Sequence, residues 1–479
     1  MNEISIAISG GVSLCTYELG VLLSFYQAFL EKESFSVETV SGTSAGAISG
    51  FIFSLAMHKA LNPFAFEEII VKYTGVENLI SSDDSSVFDF RKLESLYKEL
   101  LESDDKCAHE YSNDECIKNR CFKYCKLKSC GKVKTKNVLL ILGITNIDGL
   151  VYEVKDRTFV RNYEMRQHRT CYNIDFNKLD SYSKKELFDS LCASASFPLF
   201  FPVVNSNVNT ASITGLSEHY ESSEFSLNLT DGGLTDNLPL KPIVESVKNS
   251  DRIIMIIPHP ENVKNLITEA NKNHGFLPMD NPFKILMRIF NVAMYQSLYW
   301  DVNTFIRING EVAENKRLLQ KMTDVYDAMN IDERRIIEKY MNLISDSGAS
   351  MFEKFKNSKI ALRLDMISPD TPEQDLSGEI MSHFGGFFDE RMRKSDFHLG
   401  YSNGLKYLRN NSIDLNRIME KGMNCGNMKY KDMRNKNFIW ILILKIIIVF
   451  LHPHRKRVYA VLPYLFAKFT LSILLSFKS

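Results

Sequence analysis

Two strand–turn–helix units follow one another within about the first 60 residues, and this alternation constrains the fold more than any other feature. Ile4 to Ile8 is a short apolar run that reads as a buried strand entering Ser9-Gly10-Gly11. Leu14 to Leu30 reads as an apolar-rich helix, Phe35 to Val40 as a second strand and Ala45 to His58 as a second helix. Such alternation predicts an α/β fold, a mostly parallel sheet covered on both faces. Val138 to Ile144 and Arg252 to Ile257 are further strand candidates, continuous apolar runs of the kind buried parallel strands show. Asp83 to Lys136 turns polar and Cys-rich, like an insertion, and Asn205 to Ser226 reads as a polar loop. From Pro282 to Asn410 the apolar residues recur at three- and four-residue spacing, a mostly helical pattern. The 479 residues divide on this reading into three parts: 1–260 with an insertion at about 104–136, a helical extension at 261–428, and a tail at 429–479.

Hydrophobic residues make 45% of the chain and charged residues 24%, the mix of a protein that buries a large core. Disordered, collagen-like and small disulfide-stapled classes are excluded. Fifty-eight Lys/Arg balance 58 Asp/Glu, which argues against a protein that binds nucleic acid through overall basic charge. The balance hides an asymmetry. From Lys429 onward ten Lys/Arg face one acid, Asp432, giving +9 and leaving −9 on the preceding 428 residues. The same tail holds Phe438 to Leu451, 14 residues with one Lys, and Val458 to Phe477, 20 residues interrupted by Pro463 and Lys468. A membrane span needs about 20 apolar residues. Buried core elements are the competing reading, but a basic, apolar tail on an acidic body favours association with an anionic membrane surface. Met1-Asn2-Glu3 has no basic n-region, so no cleavable signal peptide is expected and the cytoplasmic side is the default location.

Three short motifs carry chemistry. Gly42-Thr43-Ser44-Ala45-Gly46 matches G-x-S-x-G. Alone it is weak, but a β-branched strand precedes it and an Ala/Ile/Phe helix follows, the setting a nucleophile elbow requires. Small residues at Gly42 and Gly46 allow the tight turn, and the helix N-terminus behind Ser44 favours developing negative charge. An ordinary Ser-capped turn is the bland alternative. Ser9-Gly10-Gly11-Val12 also lies between strand and helix, where consecutive glycines let backbone N–H groups turn toward an anion. Neither a dinucleotide fingerprint nor a P-loop is present there. Thr230-Asp231-Gly232-Gly233 sets an acid in a glycine turn, where it can accept a proton from a Ser hydroxyl without a histidine; by itself the motif is most often only a turn. His259, between two prolines, is the best histidine for a conventional triad.

In this order the motifs resemble those of the patatin-like phospholipase family. Ser9 to Leu22 is similar to its Gly-rich oxyanion segment and helix, and Gly42 to Ala47 to its nucleophile elbow. Ala193-Ser194-Ala195-Ser196-Phe197-Pro198 with Phe201-Pro202 resembles its AS-x-A-x-P…F-x-P segment, and Asp231-Gly232-Gly233 with Asn237-Leu238-Pro239 its DGG…N-x-P motif. His383 to Phe387 and Arg393 to Gly400 are similar to a longer bacterial patatin-related branch. The resemblance implies a three-layer fold and a lipid acyl hydrolase. In it Ser44 is the nucleophile, Asp231 the base, and backbone N–H groups around Gly10, Gly11 and Val12 the oxyanion hole. It also implies a phospholipid or other lipid ester as substrate and no metal or cofactor in the chemistry. The sequence departs from the family where a third Gly, a basic residue and a Gly usually follow: Val12, Leu14 and Cys15 stand there. That departure keeps a non-catalytic lipid-binding or scaffold role open, and an acyltransferase or an esterase acting on another ester is a third reading.

Nine cysteines are too few, and odd in number, for a secreted disulfide scaffold. Cys107, Cys116, Cys121, Cys125 and Cys130, with His109, cluster in the insertion. Zinc, disulfides and free thiols all fit spacings that match no strong metal-binding pattern.

Overall fold

The structure is a computed structural model. It describes residues 3–63, 65–81, 86–102, 134–156, 161–198, 200–209, 224–258, 282–344, 362–369, 376 and 384–415. The clustered cysteines, His109, His259, His383 and the tail from Lys429 lie outside the described residues.

The first strand–turn–helix unit is β1 (Glu3–Ile8), a short 3₁₀ turn (Val12–Leu14) and α1 (Cys15–Glu31). The second is β2 (Ser36–Thr43) and α2 (Ala45–Lys59). Three helices follow, α3 (Ala65–Tyr73), α4 (Val76–Leu79) and α5 (Leu93–Leu101). The chain then forms β3 (Leu139–Asp156), β4 (Arg161–Asp175), α6 (Lys184–Ala195), β5 (Val204–Asn209), β6 (Glu224–Asp231), α7 (Leu240–Ser246) and β7 (Arg252–Ile256). Last come α8 (Pro282–Ala328), α9 (Ile331–Ile344), β8 (Arg363–Ile367), α10 (Gly385–Phe388) and α11 (Glu390–Asn410).

The eight strands make one sheet in the order β5-β6-β3-β2-β1-β7-β8, with β4 on the other edge of β3. The run β3-β2-β1-β7-β8 is parallel, while β4, β5 and β6 pair antiparallel. This is the mostly parallel α/β architecture that the alternation predicts. Ile4, Ile6 and Ile8 are fully buried, as are Val40, Leu140 and Leu142 on the neighbouring strands. Covered on both faces, such strands need no polar side, and so they read as continuous apolar runs.

Two elements carry no such signal. β4 and the outer half of β3 form a long antiparallel arm, Leu150↔Gln167 to Asp156↔Arg161. Along β4 the residues from Glu164 to His168 are all exposed, and all but Met165 are polar, which hides the strand from an apolar pattern. β8, inside the stretch whose pattern reads as helical, pairs in parallel with β7 and lengthens the sheet. α11 joins the main core with Phe397 and Leu408 fully buried. It crosses α1 so closely that backbones touch. A Cβ added to Gly20 would lie 2.0 Å from Phe397 O, and one added to Gly400 would lie 2.0 Å from Tyr17 O. Asn403 Nδ2 donates to Tyr17 OH at 3.0 Å, and Tyr401 OH to Gln27 Oε1 at 2.5 Å, across the same contact. Among the described residues no helix is long and apolar enough to cross a membrane.

Candidate active site

The sheet brings Ser44 and Asp231 together through a shared neighbour. β2 pairs with β3 up to Thr43↔Gly143, and β6 pairs with β3 from Ile144↔Asp231. β4 already occupies the opposite edge of β3 at Gly143 and Ile144. β2 and β6 therefore lie on one edge of β3 and meet end to end, each leaving its last residue at the junction. Nothing in the local sequence of either strand encodes this meeting, since the two residues are 187 positions apart.

The elbow follows from the glycines around it. A Cβ on Gly42 would lie 2.3 Å from Gly46 O, and one on Gly46 would lie 2.6 Å from Ser9 O. Only hydrogen fits at either place. Between them Ser44 takes φ 55°, ψ −126°, a left-handed backbone that a non-glycine residue adopts at a cost of about 1–3 kcal/mol. Its N–H donates to Ser194 Oγ at 3.2 Å, and Ser194 Oγ donates to Gly143 O at 2.7 Å. The strained turn is thus tied to β3 through α6. Thr43 Oγ1 donates to Asp236 O at 2.9 Å, joining the elbow to the turn after β6.

Ser44 Oγ donates to Asp231 Oδ2 at 2.6 Å. The other carboxylate oxygen accepts from Gly233 N at 2.7 Å and so caps the 3₁₀ turn Gly232–Leu234. Asp231 is held from behind by Ser196 O, which accepts from Asp231 N at 3.1 Å and from Thr230 Oγ1 at 2.8 Å. Burial pushes the Asp231 carboxyl up to about 7, while the Ser44 and Gly233 hydrogen bonds pull it back. A carboxylate that titrates near neutrality and touches a hydroxyl proton is suited to accept it.

Gly10 departs from the expected oxyanion set. Its N–H donates to Asn237 O at 3.0 Å, and its Cα packs so closely that an added Cβ would lie 2.6 Å from Asn237 Oδ1 and 3.0 Å from Ser44 Cβ. The N-x-P segment takes up that donor. The Gly11 and Val12 N–H groups have no acceptor among the described contacts. Val12 holds φ 54°, the left-handed region where glycine is the ordinary occupant.

Sequence reasoning missed several residues that frame the site. Ser194 and Ser196 lie in a segment recognisable by its motif, but nothing there says that one grips the elbow and the other Asp231. Arg169 carries no signal at all. It bridges buried Asp236 at 2.5 Å and Asp301 of α8 at 2.8 Å, fixing the turn after Asp231 to that helix. An apolar cavity of about 80 Å³ begins one turn along α2 from Ser44. Its walls include Ile48 and Phe51 from the turns following Ser44, Leu191 and Cys192 from the turn preceding Ser194, and the rings of Phe90 and Tyr97.

Against known proteins, the family model described as patatin-like phospholipase matches residues 6–244. Among solved structures the chain is similar to VipD from Legionella pneumophila at 11% identity, covering 95% of this chain and 93% of that one with a TM-score of 0.22. No curated protein matches.

Proposed function

Because residues 6–244 make this chain a member of the patatin-like phospholipase family, we propose that it is a lipid acyl hydrolase of the phospholipase A type, with Ser44 as nucleophile and Asp231 as its base. The observation that carries the reading is the 2.6 Å hydrogen bond from Ser44 Oγ to the buried carboxylate of Asp231. Asp231 takes the hydroxyl proton as Ser44 Oγ attacks the ester carbonyl carbon. The tetrahedral oxyanion is stabilised by the N–H groups of Gly11 and Val12 and by the N-terminal end of α2. Collapse of the intermediate expels the alcohol, which leaves with the proton from Asp231 and leaves an acyl-serine. Water, deprotonated by Asp231, then cleaves that ester and frees the fatty acid. The apolar cavity one turn along α2 from Ser44 suits the acyl chain, whose burial stabilises the complex by about 0.8 kcal/mol per methylene.

Fatty-acid release from mixed phospholipid vesicles, by wild type and Ser44→Ala side by side, tests the reading. Release by wild type alone supports it, and equal release by both refutes it. A transferred acyl chain in place of free acid would point to an acyltransferase, and no release by either protein to a non-catalytic role. Asp231 must be ionised to act, and its carboxyl titrates near 7. kcat/KM is therefore expected to be level above about pH 8 and to fall about tenfold per pH unit below about 6. A profile flat from pH 5 to 8 would exclude Asp231 as the base.

Membrane association through residues 438–479 is part of the proposal, resting on their apolar and basic composition.

A further inference from the structure

Val12 holds a strained backbone at the point where an oxyanion would bind, and such strain persists only where the surroundings over-determine it. The surroundings come from the far end of the chain. Gly386 N, in α10, donates to Ser13 Oγ at 3.0 Å, across 373 positions of sequence. The fit is close: a Cβ on Gly386 would lie 2.8 Å from Ser13 Oγ and 3.2 Å from Ser13 O. Val12 packs against the aromatic cluster that Phe384, Phe387 and Phe388 form with Phe197 and Phe201.

Behind this contact lies Arg393 of α11, only 3% exposed. Its guanidinium donates to Gly386 O at 2.8 Å, Phe387 O at 3.3 Å and Val71 O at 2.5 Å. These carbonyls belong to the ends of α10 and α3, so a buried cation caps two helix C-termini at once. The Glu77 carboxylate is 4.0 Å away and largely exposed. Burial and Glu18 push the Cys15 thiol up while Arg393 draws it down, which puts the cation within electrostatic reach of the start of α1.

We propose that Arg393 is a positioning residue: through Gly386 it clamps Ser13, and so holds the Gly11 and Val12 N–H groups where the oxyanion of the acyl-transfer step develops. The inference rests on the hydrolase reading above. It makes residues 384–410, beyond the matched family region, part of the catalytic apparatus.

The test measures kcat and KM of the full chain on a soluble short-chain p-nitrophenyl ester, with thermal midpoints, for wild type, Ser13→Ala and Gly386→Ala. Ser13→Ala removes the acceptor, and Gly386→Ala forces a methyl into the clamp without touching Arg393. A misplaced oxyanion donor acts in the transition state and not on ground-state binding. The expected result is a fall in kcat of about 10- to 100-fold with KM within about twofold. Arg393→Lys, which keeps the charge but not the three-way fork, should show a smaller fall of the same kind. Unchanged kcat in both clamp variants of an active enzyme, or a rise in KM with kcat preserved, would overturn the inference and leave the hydrolase reading standing. Wild type with no Ser44-dependent turnover would instead refute the hydrolase reading itself.

Discussion

Asp231→Asn is expected to lower acyl-ester turnover by about 10⁴-fold while making the folded protein more stable at pH 8. The loss follows because Asn keeps the shape of the site but cannot take a proton. Ser44→Ala removes the proposed nucleophile and should cost at least as much, and the double variant little more, as expected of a proposed pair that acts as a unit. The gain in stability follows from the raised titration of the buried carboxyl. Between the unfolded value near 4 and the folded value of about 7 the native state binds the extra proton, so stability falls as pH rises through that window. At pH 8 the whole cost is present, up to about 4 kcal/mol, and Asn escapes it. Near pH 4 the native carboxyl is already protonated, and the two proteins should melt together. Urea melts at pH 8 and pH 4, with turnover at pH 8, check both parts. A variant that loses activity and stability together at pH 8 would mean that Asp231 serves folding and not chemistry.

Gly400→Ala is the second large effect. The new methyl would stand 2.0 Å from Tyr17 O, where backbone and not a movable side chain is in the way. α1 and α11 must separate, and with them the core contacts of Phe397, Tyr401 and Leu405. A loss of about 3 kcal/mol or more is expected, at the upper end of overpacking. The same substitution at Gly310, in the exposed middle of α8 with nothing within 4 Å, should instead stabilise the helix by about 0.5–1 kcal/mol. Urea midpoints of the two variants give opposite signs if the contact is as close as described. Equal, small shifts would show that α11 gives way freely.

The buried centre of the fold is legible in the sequence because a strand covered on both faces must be apolar throughout. Ile4 to Ile8 and Leu140 to Leu142 are visible for that reason. The β4 arm is not, because its exposed residues keep no apolar face to the eye. Nor is β8, five residues with an arginine at one end and an aspartate in the middle. At the site, each motif marks its own turn: Gly42 and Gly46 around Ser44, Gly232 and Gly233 after Asp231. What no motif contains is the relation between turns. The grip of Ser194 on Ser44, the engagement of the Gly10 N–H by Asn237, and the bond from Gly386 N–H to Ser13 are all long-range contacts. They exist only after the sheet has assembled.

The end-to-end meeting of β2 and β6 on β3 makes the site a measure of strand register. Side chains alternate between faces of a strand with a period of two residues. A slip of β6 by one residue along β3 would carry Asp231 about 3.4 Å and turn its carboxylate to the opposite face of the sheet. Ser44 would then face no carboxylate at that place on the strand. There is thus no partly aligned form of the pair: the contact between Ser44 and Asp231 arrives with the correct register of a single antiparallel strand, or not at all.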